Sequence, residues 1–169
     1  MNSSSINAND AKPIFRWAGS KRKLLPELIA YWNKSNSVRY IEPFVGSAQL
    51  HFKIQPKKAI LNDVNSELIN TYQVIQTNPV GLYDIIKTYK RDKDFYYHLR
   101  ALSPCDLDIF ERAARFLYLN KFCFNGLYRT NLKGQFNVPY SATSTAHLPT
   151  LDDLRSCSAH LKNVTFLNE

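Results

Sequence analysis

The sequence predicts an α/β fold, an open sheet of parallel strands with helices, interrupted by a mostly helical segment that contains a hairpin. Three observations predict it. Two short apolar runs, at 39–42 and 58–61, each lead to an acid and then to helical periodicity, which is the strand–turn–helix order of an open sheet. A glycine, Gly46, stands in the turn after the first of them. Another helix and strand pattern closes the chain at 151–167, after a long stretch without strand patterning.

The elements follow in order. Residues 1–12 are polar and read as a disordered lead-in. Leu24–Trp32 reads as a helix with Leu25, Leu28, Ile29 and Trp32 on one face. Arg39–Glu42 reads as a strand ended by Pro43, and Ala48–Phe52 as the helix after the Gly46 turn. Lys58–Leu61 reads as the second strand. Asn65–Gln76 is a helix by the spacing of Leu68, Ile69, Tyr72 and Ile75. Residues 80–120 read as three helical pieces, broken near Lys90 and at Ser103-Pro104. Asn125-Gly126 and Lys133-Gly134 punctuate a hairpin or structured loop. Leu151–Leu161 is a helix and Val164–Leu167 a strand. The organisation expected is an α/β part over 13–78, a helical and hairpin subdomain over 79–148, and a return to the sheet over 149–169.

Composition narrows the function. The 169 residues carry a net charge of +8 and 44% hydrophobic residues, enough for a core and a bias toward a polyanionic partner. Residues 11–26 hold five Lys or Arg and no acid. Residues 112–151 hold Arg112, Arg115, Lys121, Arg129 and Lys133, again without Asp or Glu, interleaved with seven Phe or Tyr. That mixture suits phosphate contact with base stacking; it equally suits a core of aromatics under a surface of cations. Cys105, Cys123 and Cys157 lack CxxC spacing, which argues against a disulfide framework and a zinc site. No metal is expected. No 18-residue apolar run or hydrophobic leader occurs, so no membrane span is expected and the location expected is cytoplasmic.

Chemistry concentrates in two segments. In YIEPFVGSA a strand ends in Glu42, turns at Gly46 and enters a helix. In AILNDVN a second strand ends at Asp63, about twenty residues later, where an acid can hold both hydroxyls of a ribose. Asp63 also reads as a helix N-cap, although Asn65 or Ser66 can cap that helix as well.

With these residues, FRWAGSKRKLL, YIEPFVGSAQLHF and LNDVNSELINTYQVI resemble the first three motifs of Dam-type, alpha-class N6-adenine-specific DNA methyltransferases. FLYLNKFCFNGLYRTNLKGQFNVPY resembles that family's DNA-recognition segment. The resemblance implies a Rossmann-like sheet, S-adenosylmethionine as cofactor and duplex DNA as partner, in a bacterial or phage setting. It implies Trp17, Lys21, Glu42, Phe44, Gly46 and Asp63 as the cofactor pocket, with Gly19 permitting close backbone approach. It implies Arg16, Phe124, Asn125, Leu127, Arg129, Asn131 and Lys133 as DNA contacts, Phe124 wedging into the base stack. The family's turn usually has a second glycine where this chain has Ala48.

The same resemblance implies a catalytic Asp-Pro-Pro-Tyr motif. No such sequence occurs: Asn137-Val138-Pro139-Tyr140 lies inside the recognition stretch and Ser103-Pro104-Cys105-Asp106 does not fit. The expectation is therefore an N-terminal part of a methyltransferase with no catalytic residue of its own, marginally stable alone or completed by a second chain. The alternatives are a non-catalytic binder of DNA and cofactor, one half of a split enzyme, or a different nucleotide-dependent α/β enzyme such as a dehydrogenase.

Overall fold

The computed structural model describes residues 12–169, so the lead-in expected at 1–12 lies, Lys12 apart, outside the described residues. Three parallel strands, β1 (Tyr40–Glu42), β2 (Ala59–Asn62) and β3 (Val164–Leu167), form a sheet in the order β1-β2-β3. Ile41 pairs with Ile60, and Ile60 with Thr165. Among the described residues the outer edge of β1 pairs with no strand, and Ile41 there is 57% exposed. An open edge of this kind is a row of unpaired N–H and C=O groups.

Helix α1 (Leu25–Lys34) begins behind a 3₁₀ turn at Lys21–Leu24, with Pro26 in its first turn where no N–H is needed. Helix α2 (Gln49–Ile54) starts later than the sequence predicts. Ala48 is not helical but sits at φ 52°, in the left-handed region, fully buried. A Cβ in that conformation costs about 1–2 kcal/mol relative to glycine. Helix α3 (Ser66–Thr77) is capped by Asn65, whose side chain accepts the Leu68 N–H at 3.0 Å. That leaves Asp63 out of the capping role.

The three helical pieces are α4 (Pro79–Ile86), α5 (Lys93–Ala101) and α6 (Ile109–Phe122), with a 3₁₀ turn at Pro104–Asp106. Asn78, Asp92 and Asp108 cap them, Asp108 with Glu111 as a capping box. Helix α7 (Leu151–Leu161) opens on a second capping box, Thr150 with Asp153.

Two buried clusters hold the molecule together. The first joins the sheet to α3, α4, α7 and the first half of α6, through residues such as Leu61, Tyr72, Leu82, Phe116 and Leu161. The second joins α5 to the rest of α6 through Tyr96, Leu99, Tyr118 and Phe122, with Val138. Helix α4 thus packs into the sheet's core, although it begins at Pro79, past the 13–78 part. Residues 122–141 fold back on themselves as an antiparallel loop with isolated bridges at Cys123–Tyr140 and Thr130–Phe136. The hairpin anticipated in the fold class is therefore a structured loop, not a pair of regular strands. Its backbone bonds, such as Phe124 N–H to Pro139 O at 2.9 Å and Asn137 N–H to Arg129 O at 3.0 Å, are few and spaced apart.

Candidate functional site

The carboxyl ends of β1 and β2 open into a pocket of about 170 Å³ lined by Trp17, Lys21, Glu42, Phe44, Gly46, Ser47 and Asp63 among others. Open parallel sheets bind ligands at this end. The pocket is built from backbone outward. Val45 N–H donates to Asn62 O at 2.8 Å, and the Asn62 amide donates to Pro43 O at 3.0 Å, so the turn is tied to β2. Gly46, at φ 47°, donates its N–H to Asp63 Oδ2 at 3.0 Å, and Asn65 N–H reaches Asp63 Oδ1 at 3.1 Å. Both oxygens keep a free lone pair beyond these bonds. The buried Tyr72 hydroxyl donates to Gly46 O at 2.9 Å.

Lys21 Nζ bridges the strand end, at 2.8 Å from Glu42 Oε1 and 2.9 Å from Phe44 O. Glu42 is 3% exposed, and its Oε2 has no hydrogen-bond partner; neither has the buried Ser47 Oγ. Buried polar atoms are seldom left unpaired, and both of these belong to residues that line the pocket. The Glu42 carboxylate also raises the Tyr40 hydroxyl above its ordinary pKa, second to burial. The Trp17 indole lies over the turn: a Cβ at Gly46 would stand 2.6 Å from Trp17 Cδ1. Trp17 in turn stacks on Tyr128, 5.9 Å between centroids at 19°. Phe44 is 77% exposed at the rim.

Another groove, of about 430 Å³, is lined by Arg16, Asn125 and residues of the 141–146 loop. Phe124 is 51% exposed and Leu127 37%, which places Phe124 at the surface and not in the core. Arg129 is exposed, with Nε donating to Asn137 Oδ1 at 2.8 Å, which leaves its terminal nitrogens outward. Asn131 is different. Its Oδ1 accepts the Lys133 and Gln135 N–H groups and its amide donates to Gln135 Oε1, so this side chain builds the loop. Lys133 is exposed at the loop tip.

The second basic stretch is only partly a surface. Arg112 pairs with the buried Glu67. Arg115, 4% exposed, donates to the Leu99 and Arg100 carbonyls at 2.8 and 3.1 Å and closes the C-terminus of α5. Lys121 is half-buried, and burial lowers its pKa. Of the aromatics interleaved with these cations, Phe116, Tyr118 and Phe122 are core. Sequence reasoning also missed Asn120, Gly126 and Tyr128, which hold the Arg16–Trp17 segment. A lone amide in the apolar run FLYLNKF was the available signal for Asn120.

Residues 17–169 match the D12 class N6 adenine-specific DNA methyltransferase family. The chain belongs to that family. It is 38% identical over 170 residues to the type II methyltransferase M1.LlaDCHI of Lactococcus lactis subsp. cremoris, covering 96% of this chain and 59% of the relative. It is 36% identical over 162 residues to the DNA adenine methylase of Haemophilus influenzae, covering 92% and 56%. To the DNA N-6-adenine-methyltransferase of Escherichia phage P1 it is 37% identical over 142 residues, covering 82% of this chain and 19% of the relative. The chain thus spans 56–62% of the length of the first three relatives it matches. Among the described residues of this family member, no group of His, Cys, Asp and Glu could hold a metal ion, and no helix is long and apolar enough to cross a membrane.

Proposed function

We propose that this D12-class chain is the cofactor-binding and DNA-reading part of an enzyme that methylates adenine N6 in duplex DNA. The observation that carries the proposal is one of placement. Lys21, Glu42, Ser47 and Asp63 converge at the ends of β1 and β2 in a pocket that Trp17 also lines, and the preceding residue, Arg16, lines the groove with Asn125.

The donor set suits S-adenosylmethionine, whose sulfonium supplies an electrophilic methyl group when bound. Lys21 meets a carboxylate, Glu42 Oε2 accepts from an ammonium, and the free lone pairs of Asp63 accept from ribose hydroxyls. The pocket is smaller than the roughly 300–1,000 Å³ of ordinary ligand sites, and the Trp17 indole over Gly46 forms one wall of it. On the DNA side, exposed Arg16, Arg129 and Lys133 neutralise phosphates or meet guanine edges, and Asn125 and Leu127 face the major groove of the duplex. Phe124 fills the gap left when a base leaves the stack, offsetting part of an unstacking cost of a few kcal/mol.

The adenine N6 lone pair is delocalised into the ring, so transfer needs hydrogen-bond acceptors aimed at that amine. We assign no residue here to that role. The test is transfer of a labelled methyl group from S-adenosylmethionine to unmethylated duplex, with this chain alone and with the remaining third or more of a family member added. Transfer only in the mixture supports a divided site. Transfer by the chain alone returns attention to Asn137–Tyr140. Salt-sensitive duplex binding without transfer in either case favours the non-catalytic reading.

A further inference from the structure

Arg16 and Trp17 are neighbours in sequence, yet each lines a different cavity. Arg16 lines the groove with Asn125, and Trp17 lines the pocket with Lys21, Glu42 and Asp63. Whatever fixes the backbone of this dipeptide therefore sets the register of both cavities at once. Asn120, 104 residues away on α6, does so. Its Oδ1 accepts the Arg16 N–H at 3.0 Å, and its amide donates to Arg16 O at 2.8 Å. The side chain occupies the place of a pairing strand, satisfying both backbone groups of one residue, and it is 3% exposed. The packing around it leaves no slack. Gly126, at φ 64°, has no room for a Cβ, which would meet Arg16 Cβ at 2.4 Å. Phe15 is wedged between Tyr72 and Phe116, and Trp17 stacks on Tyr128.

We infer that Asn120 is a positioning residue that holds the Arg16–Trp17 backbone ready for cofactor and duplex alike, so that neither ligand has to order it on binding. The inference rests on the function proposed above. Its thermodynamic signature is specific. With Asn120 removed, whichever ligand binds first must order the dipeptide itself; the second then finds it ordered. The losses are therefore not additive. A residue touching one ligand weakens that ligand alone, and two independent defects multiply.

The test uses the full chain as it exists, with S-adenosylhomocysteine and a short duplex as unreactive probes, in wild type, Asn120→Ala and Asn120→Asp. Amide exchange at Arg16 is read first, without ligand. It is expected to rise about tenfold in Asn120→Ala, the cost of one hydrogen bond, while α6 stays protected. Asn120→Asp keeps the acceptor for the Arg16 N–H and falls between. In Asn120→Ala each ligand alone is expected to bind about five- to tenfold more weakly, and the pair together to lose about that same factor once, not its square. Unchanged exchange at Arg16, a deficit confined to one ligand, or deficits that multiply would each overturn the inference. Failure of wild type to bind either probe would instead sink the proposed function, and the exchange at Arg16 would then decide the role of Asn120 by itself. Should Asn120→Ala not fold, Asn120→Asp carries the same comparison.

Discussion

Residues 15–23 and 112–133 look alike as sequence: cations set among aromatics, with no acid between them. The structure uses them in opposite ways. In the first, Arg16 stands exposed in a groove and Lys21 reaches the mouth of a pocket. In the second, Arg112 and Arg115 turn inward, to Glu67 and to the end of α5, and only Arg129 and Lys133 remain exposed. The difference teaches that charge composition marks a region as basic but not as ligand-facing. A guanidinium goes where acceptors wait, and helix C-termini and buried acids are acceptors as good as phosphate.

The largest effect that would test this contrast is at Arg115. Arg115→Ala leaves the α5 carbonyls unpaired in a buried place, and is expected to cost about 3 kcal/mol of stability in urea unfolding. The salt dependence of duplex binding by the folded fraction should stay the same. A lowered salt slope would make Arg115 a phosphate contact after all and erase the contrast.

A second effect, of similar size, comes from neither stretch and serves to separate stability from binding. His51 on α2 is 1% exposed; its Nε2 pairs with His160 O, while its Nδ1 has no partner. Burial lowers its pKa from 6.5 to about 4. The folded state therefore resists protonation that the unfolded chain accepts. Stability from this group is complete above pH 6.5 and is lost as pH falls toward 4, on the order of 3 kcal/mol in all. His51→Gln, measured by denaturant midpoints across that range, should flatten the slope; an equally steep decline would place the acid sensitivity elsewhere.

Lys21 comes next. Lys21→Ala removes the partner of a buried carboxylate and, under the proposed function, a contact to the cofactor. Titration with S-adenosylhomocysteine should show affinity reduced about tenfold, equivalent to about 1.4 kcal/mol. Retained affinity would show Lys21 to be only a strut for Glu42. The smallest effect is at Arg129. Arg129→Ala should leave the unfolding midpoint within about 0.5 kcal/mol of wild type, yet weaken duplex binding by about 1 kcal/mol and reduce the salt slope by about one. A fall in stability without a change in slope would put Arg129 in the same class as Arg115.

Much of the fold is legible in the sequence because it is local. Capping residues Asn65, Asp92, Asp108 and Thr150 stand next to the helices they start, and α7 and β3 fall on the residues that periodicity marks. The misplacements have local causes too. The helix after the Gly46 turn starts after Ala48 because that residue is held in the left-handed region, which an alanine code does not announce. The pocket was legible where strand ends converge: Glu42, Gly46 and Asp63. Asn131 reads from the resemblance as a DNA contact, whereas its side chain is spent on the backbone and side chain of its own turn.

The sequence by itself determined the α/β order, the strand-end acids, the family and the lack of a Pro-Pro motif, since each is carried by neighbouring residues or by residue type. Only the tertiary structure decided which cations face outward, that Trp17 covers Gly46, and that Asn120 holds Arg16 from 104 residues away. The physical reason is that a side chain's partner is set by packing of distant segments. A hydrogen bond between α6 and an N-terminal strand-like segment leaves no periodicity behind, only a polar residue in an apolar run.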